Sequence, residues 1–199
     1  MQDLVAAHLS KRFDGAPVLR DFSARFAAGE ITCIMGRSGC GKTTLLNILM
    51  GFLAPDAGTV SGRPARLAAV FQEDRLLEDF SAAANAGFAA PRLPRSEVLR
   101  HLDAVGLAAD ADKPVRELSG GMKRRVAIVR AVLADGELVL LDEPFKGLDE
   151  TTRAAVAAYL CRQLAGKTVI LVTHDEEEVT LMGGRLLRLQ PEGGKPDED

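Results

Sequence analysis

The run Gly36-Arg37-Ser38-Gly39-Cys40-Gly41-Lys42-Thr43-Thr44 carries the first recognisable chemistry. Its glycines permit backbone turns closed to other residues, so successive N–H groups can crowd around phosphate oxygens. A helix beginning at its end adds a partial positive charge. Lys42 can reach β- and γ-phosphates, and the Thr43 hydroxyl can ligate Mg²⁺. The spacing is that of a Walker A loop, and the apolar stretch Ile31 to Met35 supplies the strand it must follow.

A second centre stands at Leu138-Val139-Leu140-Leu141-Asp142-Glu143. An apolar strand ending in two carboxylates puts both at the strand end, where open α/β sheets bind ligands. Asp142 there can hold Mg²⁺, directly or through water. Glu143 can act as general base for a water attacking the γ-phosphate. A third feature is Leu118-Ser119-Gly120-Gly121, a capped, glycine-bearing helix start with free N–H groups. Lys123, Arg124 and Arg125 follow it and read as a solvated face. Cys40 inside the phosphate loop reads either as a small residue that fits the turn or as a thiol made reactive by the helix end.

The elements that position these residues alternate. Strand patterns cover Val5 to Leu9, Ile31 to Met35, Leu67 to Phe71, Leu138 to Leu141 and Val169 to Thr173. Helical patterns cover Thr43 to Met50, Glu97 to Val105 with Ser96 as cap, Met122 to Leu133, and Glu150 to Leu164 with Asp149 as cap. That is an α/β chain with buried parallel strands. The segment 4–32 begins with short antiparallel strands turning at Asp14-Gly15. The segment 73–117 reads as a small helical subdomain, and 191–199 as a disordered tail.

The chain has 199 residues, 47% of them hydrophobic, enough for one substantial core within 1–190. With 25 basic and 28 acidic residues the net charge is -3, which argues against a general nucleic-acid surface. Three cysteines without framework spacing fit a reducing compartment. The first residues lack signal-peptide character, and no apolar run nears the roughly 18 residues a bilayer requires. Work at a membrane would need another chain to hold this one there.

With these motifs in this order, residues 4–189 resemble the ATP-binding cassette of an ABC transporter. The resemblance implies a P-loop NTPase (RecA-like) core with an antiparallel β subdomain and a helical subdomain. It implies ATP and Mg²⁺ as ligands and a head-to-tail dimer of cassettes, identical or paired, closing around two ATP. Residue by residue, Phe13 matches the aromatic that stacks on adenine, with Phe for the more frequent Tyr. Such a stack contributes about 1–3 kcal/mol by analogy with base–aromatic stacking. Gln72 matches the Q-loop glutamine, a Mg²⁺ ligand that also orients water. Ser119, Gly120 and Gly121 match the signature motif that meets the partner's γ-phosphate; Met122 replaces the more frequent Gln. Asp149 matches the D-loop aspartate, although Lys146-Gly147 departs from the usual Ser-Ala. His174 matches the switch histidine that holds the γ-phosphate, the water and Glu143 in place.

The stretches Phe71-Gln72-Glu73-Asp74-Arg75-Leu76-Leu77 and Pro144-Phe145-Lys146-Gly147-Leu148-Asp149 are similar to importer cassettes of the nitrate, sulfonate and taurine group. Glu78-Asp79 replaces the proline and tryptophan frequent there. The group implies import of a small anion, a transmembrane permease, a solute-binding protein and a place on the cytoplasmic face of the membrane. A cassette of an exporter and a non-transport ABC ATPase complex remain as alternatives, since direction is set by the permease. The genes beside this one would separate them.

Overall fold

The computed structural model describes residues 2–189 and 197–198. The chain opens as a long hairpin, β1 (Leu4–Phe13) against β2 (Ala16–Phe26), turning at Asp14-Gly15 as the sequence predicts. These strands are longer than expected. β3 (Ile31–Met35) runs into the phosphate loop and α1 (Lys42–Met50). β4 (Ala57–Ser61), exposed and weakly patterned, pairs antiparallel with β1 and completes a three-stranded sheet of order β2-β1-β4.

After β5 (Leu67–Val70) come α2 (Ala82–Gly87) and α3 (Arg95–Asp103), the helical subdomain. Ser96 does not cap α3: the helix begins at Arg95 after Pro94, whose fixed φ suits a helix start. α4 (Gly120–Leu133) starts two residues earlier than expected, because the Ser119 hydroxyl accepts the Met122 N–H. Then follow β6 (Leu138–Asp142), α5 (Glu150–Gln163), β7 (Thr168–Thr173), α6 (Glu176–Met182) and β8 (Arg185–Arg188). Asp149 caps α5 as expected. The expected tail at 191–199 lies mostly outside the described residues; within it, β9 (Asp197–Glu198) pairs antiparallel with β8.

The second sheet has the order β5-β6-β7-β3-β8-β9, parallel throughout except for β9. Its two faces are both covered along the central strands, which is why β3, β6 and β7 are largely apolar runs. Val139 and Leu141 of β6, and Val169 and Leu171 of β7, face α4, α5 and the helical subdomain. The alternate residues Leu138, Leu140, Ile170 and Val172 pack with α1 and the β1–β2 hairpin. The period of two along each strand thus builds two cores on one sheet. The carboxyl ends of β3, β5, β6 and β7 all emerge along one edge.

Candidate functional site

That edge holds a cleft of about 720 Å³, lined by Gly36, Ser38, Gly39, Gly41, Lys42, Thr43, Thr44, Gln72, Asp142, Glu143, Lys146 and His174, with Val18 from β2. It is of the size that takes a nucleotide. Four strand ends deliver its residues: the phosphate loop after β3, Gln72 after β5, Asp142 and Glu143 at the end of β6, and His174 after β7.

Gly41 shows why the loop is glycine-rich. Its φ is 98°, and a Cβ there would come within 2.9 Å of the Val18 carbonyl oxygen. The Lys42 ammonium folds back across the loop, donating to the carbonyls of Gly36 at 2.7 Å and Arg37 at 3.0 Å. It therefore stands over the ring of backbone that would receive phosphate.

The Thr43 hydroxyl donates to Asp142 Oδ2 at 3.2 Å. Asp142 is 5% exposed, and burial pushes its carboxyl above the usual range, with the Thr43 hydrogen bond acting the other way. A carboxylate and a hydroxyl this close are hard oxygen donors suited to Mg²⁺, which takes few protein ligands and completes its octahedron with water and substrate phosphate. Among the described residues there is no cluster of three or more His, Cys, Asp or Glu that would favour a protein-only metal cage.

Glu143 adopts a left-handed backbone, φ 48°, uncommon for a residue with a side chain. Its N–H continues the sheet to the Val172 carbonyl at 2.9 Å, and its carboxylate turns into the cleft. There Oε1 lies 3.5 Å from His174 Nδ1, and Oε2 lies 3.7 Å from Lys146 Nζ. The Lys146 contact had no counterpart in the sequence reading, because it depends on the turn that follows the left-handed residue. The residue after His174 is held from α5: Arg153 donates to Asp175 Oδ2 at 2.6 Å.

The cleft therefore brings together a glycine-rich loop suited to phosphate, a hydroxyl–carboxylate pair suited to a cation, and a glutamate beside a histidine. The family described as "ABC transporter" matches residues 19–146. This chain belongs to the ABC transporter family. Taurine import ATP-binding protein TauB of Roseobacter denitrificans is 39% identical to it, over 98% of this chain and 80% of that protein. Aliphatic sulfonates import ATP-binding protein SsuB 2 of Burkholderia cenocepacia is 39% identical, over 95% of this chain and 74% of its own length. Among solved structures, a bacterial Atm1-family ABC exporter with ATP bound superposes with a TM-score of 0.86 at 23% identity, over 99% of this chain and 38% of the exporter's. That likeness shows the fold alone. As an ABC ATP-binding protein, the chain binds ATP and hydrolyses it.

Several expected residues of the ABC site lie outside this cleft. Phe13 ends β1, 46% exposed, with Lys11 Nζ 5.7 Å from its ring centre. Asp56 anchors that strand end by accepting from Lys11 Nζ and the Arg12 N–H, each at 2.7 Å. Ser119 and Gly120 are exposed at the start of α4 and do not line the cleft of their own chain. Gly121 lies against the D-loop; a Cβ there would sit 3.1 Å from the Gly147 carbonyl oxygen. Asp149 spends both carboxylate oxygens on Thr152, which holds its carboxyl below the ordinary value.

Of the two readings of Cys40, burial favours the small residue that fits the turn: its side chain is 5% exposed and packs into the core beneath the loop, so only its backbone can serve phosphate. One expectation needs correction. Arg124 is not part of a solvated face. It is buried, and its neighbours are carbonyls of the loop that carries Gln72.

Proposed function

We propose that the chain is the ATP-hydrolysing subunit of an importer for taurine or a related aliphatic sulfonate. In this reading two cassettes close head-to-tail around two ATP, on a transmembrane permease at the cytoplasmic face, with a solute-binding protein supplying the cargo. The observation that carries it is the convergence of Lys42, the Thr43–Asp142 pair, Gln72, Glu143 and His174 on one edge. The import names of relatives matching nearly the whole chain support the substrate class.

Hydrolysis here is in-line attack of water on the γ-phosphate, with positioning and electrostatics dominant. Lys42 and the loop amides offset phosphate charge. Thr43, Asp142 and Gln72 would hold Mg²⁺, which would supply positive charge to offset charge developing on the phosphates. Glu143 takes the proton from water, and His174 orients both the water and the glutamate. Phe13, exposed at the end of β1, offers its face to adenine. Gly120 and Ser119, open to solvent at the start of α4, offer N–H groups to the nucleotide of a second chain, with Asp149 shaping the loop between sites. Phe80, Phe88, Leu77 and Leu93 are exposed apolar residues of the helical subdomain and suit a protein partner. Among the described residues no helix is long and apolar enough to cross a membrane, so a permease would supply the path.

Reconstitution with its permease and solute-binding protein tests the reading. ATP turnover should rise when taurine or an alkanesulfonate loads the receptor. Stimulation by an unrelated solute and none by sulfonates would overturn the substrate class.

A further inference from the structure

Arg124 lies near the start of α4, 4% exposed. A guanidinium is rarely buried so deeply unless its N–H groups and its charge are both met. Nη1 donates to the Phe71 carbonyl at 2.6 Å, and Nη2 donates to the Gln72 carbonyl at 2.6 Å. Nη1 also lies 3.2 Å from Asp74 Oδ1. That oxygen is shielded from water and takes no aligned hydrogen bond, so its charge is balanced by proximity to Arg124. Further along the helix Arg130 donates to the carbonyls of Asp74 and Arg75, both at 2.8 Å.

Two arginines of one helix thus hold four carbonyls of the 71–75 loop. Loop carbonyls outside a sheet or helix take their donors from elsewhere, from side chains or from water. Here α4 supplies them, and the loop's path is tied to that helix. The planar fork of Arg124 spans two adjacent carbonyls, a geometry that a lysine ammonium does not reproduce.

The two ends of this connection face different places. Gln72 lines the nucleotide cleft of its own chain. Ser119 and Gly120, at the other end, open outward. We propose that Arg124 is a positioning residue that fastens the Gln72 loop to the signature helix, so that displacement of Gln72 by bound nucleotide moves Ser119 to Gly121 as one body. This rests on the two-chain site of the proposed function. Arg124 does not line the cleft; it acts through Gln72 on one side and Ser119 on the other.

Arg124→Gln alone would take from the Asp74 carboxylate its nearest counter-charge, leaving only the more distant Arg130 and Lys123, and misfolding would confound the result. The informative variant is Arg124→Gln/Asp74→Asn in the full chain, with Arg124→Lys as a charge-preserving control. In both, KM for ATP should stay within about twofold of wild type, kcat should fall about tenfold, and the melting temperature should move by no more than a few degrees. Amide hydrogen exchange across Gln72 and Glu73, beside the two carbonyls that Arg124 holds, should accelerate at least tenfold by mass spectrometry. Wild-type kcat in the double variant would overturn the proposal. So would a kcat loss matched by an equal rise in KM, or one explained by a lowered melting temperature, because Arg124 would then serve the nucleotide pocket or the fold. A wild-type chain that hydrolyses no ATP would instead overturn the proposed function, and the exchange rate across Gln72 and Glu73 would still decide whether Arg124 holds the loop.

Discussion

Ser119→Ala separates what the signature residue does for its own chain from what it does for a second one. Within the chain, the Ser119 hydroxyl accepts one long hydrogen bond, from the Met122 N–H at 3.3 Å. Losing an exposed cap of this kind costs about 0.5–1 kcal/mol. For a domain of this size that lowers the melting temperature by about 1–4 °C. In the proposed dimer the same hydroxyl meets a γ-phosphate, and a hydrogen bond to a charged group is worth about 1.5–3 kcal/mol. At about 1.4 kcal/mol per decade, turnover should fall roughly 10- to 150-fold. Malachite-green phosphate assays and thermal melts on one preparation read both quantities. A mixing experiment then assigns the direction. Ser119→Ala chains mixed with Glu143→Gln chains should give a burst of phosphate that neither gives alone, because one site of the mixed dimer pairs an intact Glu143 with an intact Ser119. A normal rate in Ser119→Ala, or no burst on mixing, would refute the shared site.

Glu143→Gln should bind ATP normally and accumulate as an ATP-dependent dimer in light scattering; monomer alone under those conditions would contradict the assignment of Glu143 as base. Cys161 is partly exposed, whereas Cys33 and Cys40 are buried, and burial pushes the Cys33 thiol up to about 12. Thiol reagents should therefore label Cys161 first and leave Cys40 untouched until the chain unfolds, by mass spectrometry; rapid labelling of native Cys40 would contradict its packing. Buried His101 bonds Tyr159 at 2.8 Å through Nδ1, and burial lowers its pKa from 6.5. The unfolded chain then binds the extra proton, so the melting temperature should drop as pH falls from above 6.5. His101→Gln should flatten that slope, and an unchanged slope would remove His101 as its source.

The parts legible in the sequence are those whose function needs a local pattern. Val169 to Thr173 reads as a strand because a parallel strand covered on both faces can tolerate only apolar residues, and it is found there. Lys42 and Thr43 are legible because a backbone cradle requires glycines at set positions beside them. The Asp149 cap is legible for the same reason, since its partner is three residues away. β4, β8 and α6 escape notice because their stability comes from pairing and packing with distant segments, while their own patterns are short and polar.

The cleft's supporting residues are hidden by the same logic. Arg124 is 52 residues from the Gln72 carbonyl it holds, and Arg153 is 22 from Asp175. In a run of basic residues on a helix start, nothing local distinguishes the buried member from its neighbours. Lys123 pairs loosely with Glu78, and Arg125 bonds the carbonyls of Val105 and Gly106. What singles out Arg124 is burial, and burial is decided by where the loop after β5 returns to the helix. The loop residues can be read from spacing, because a backbone cradle for phosphate imposes it. Residues that connect the nucleotide loop to the signature helix answer only to the fold, so their roles emerge from geometry.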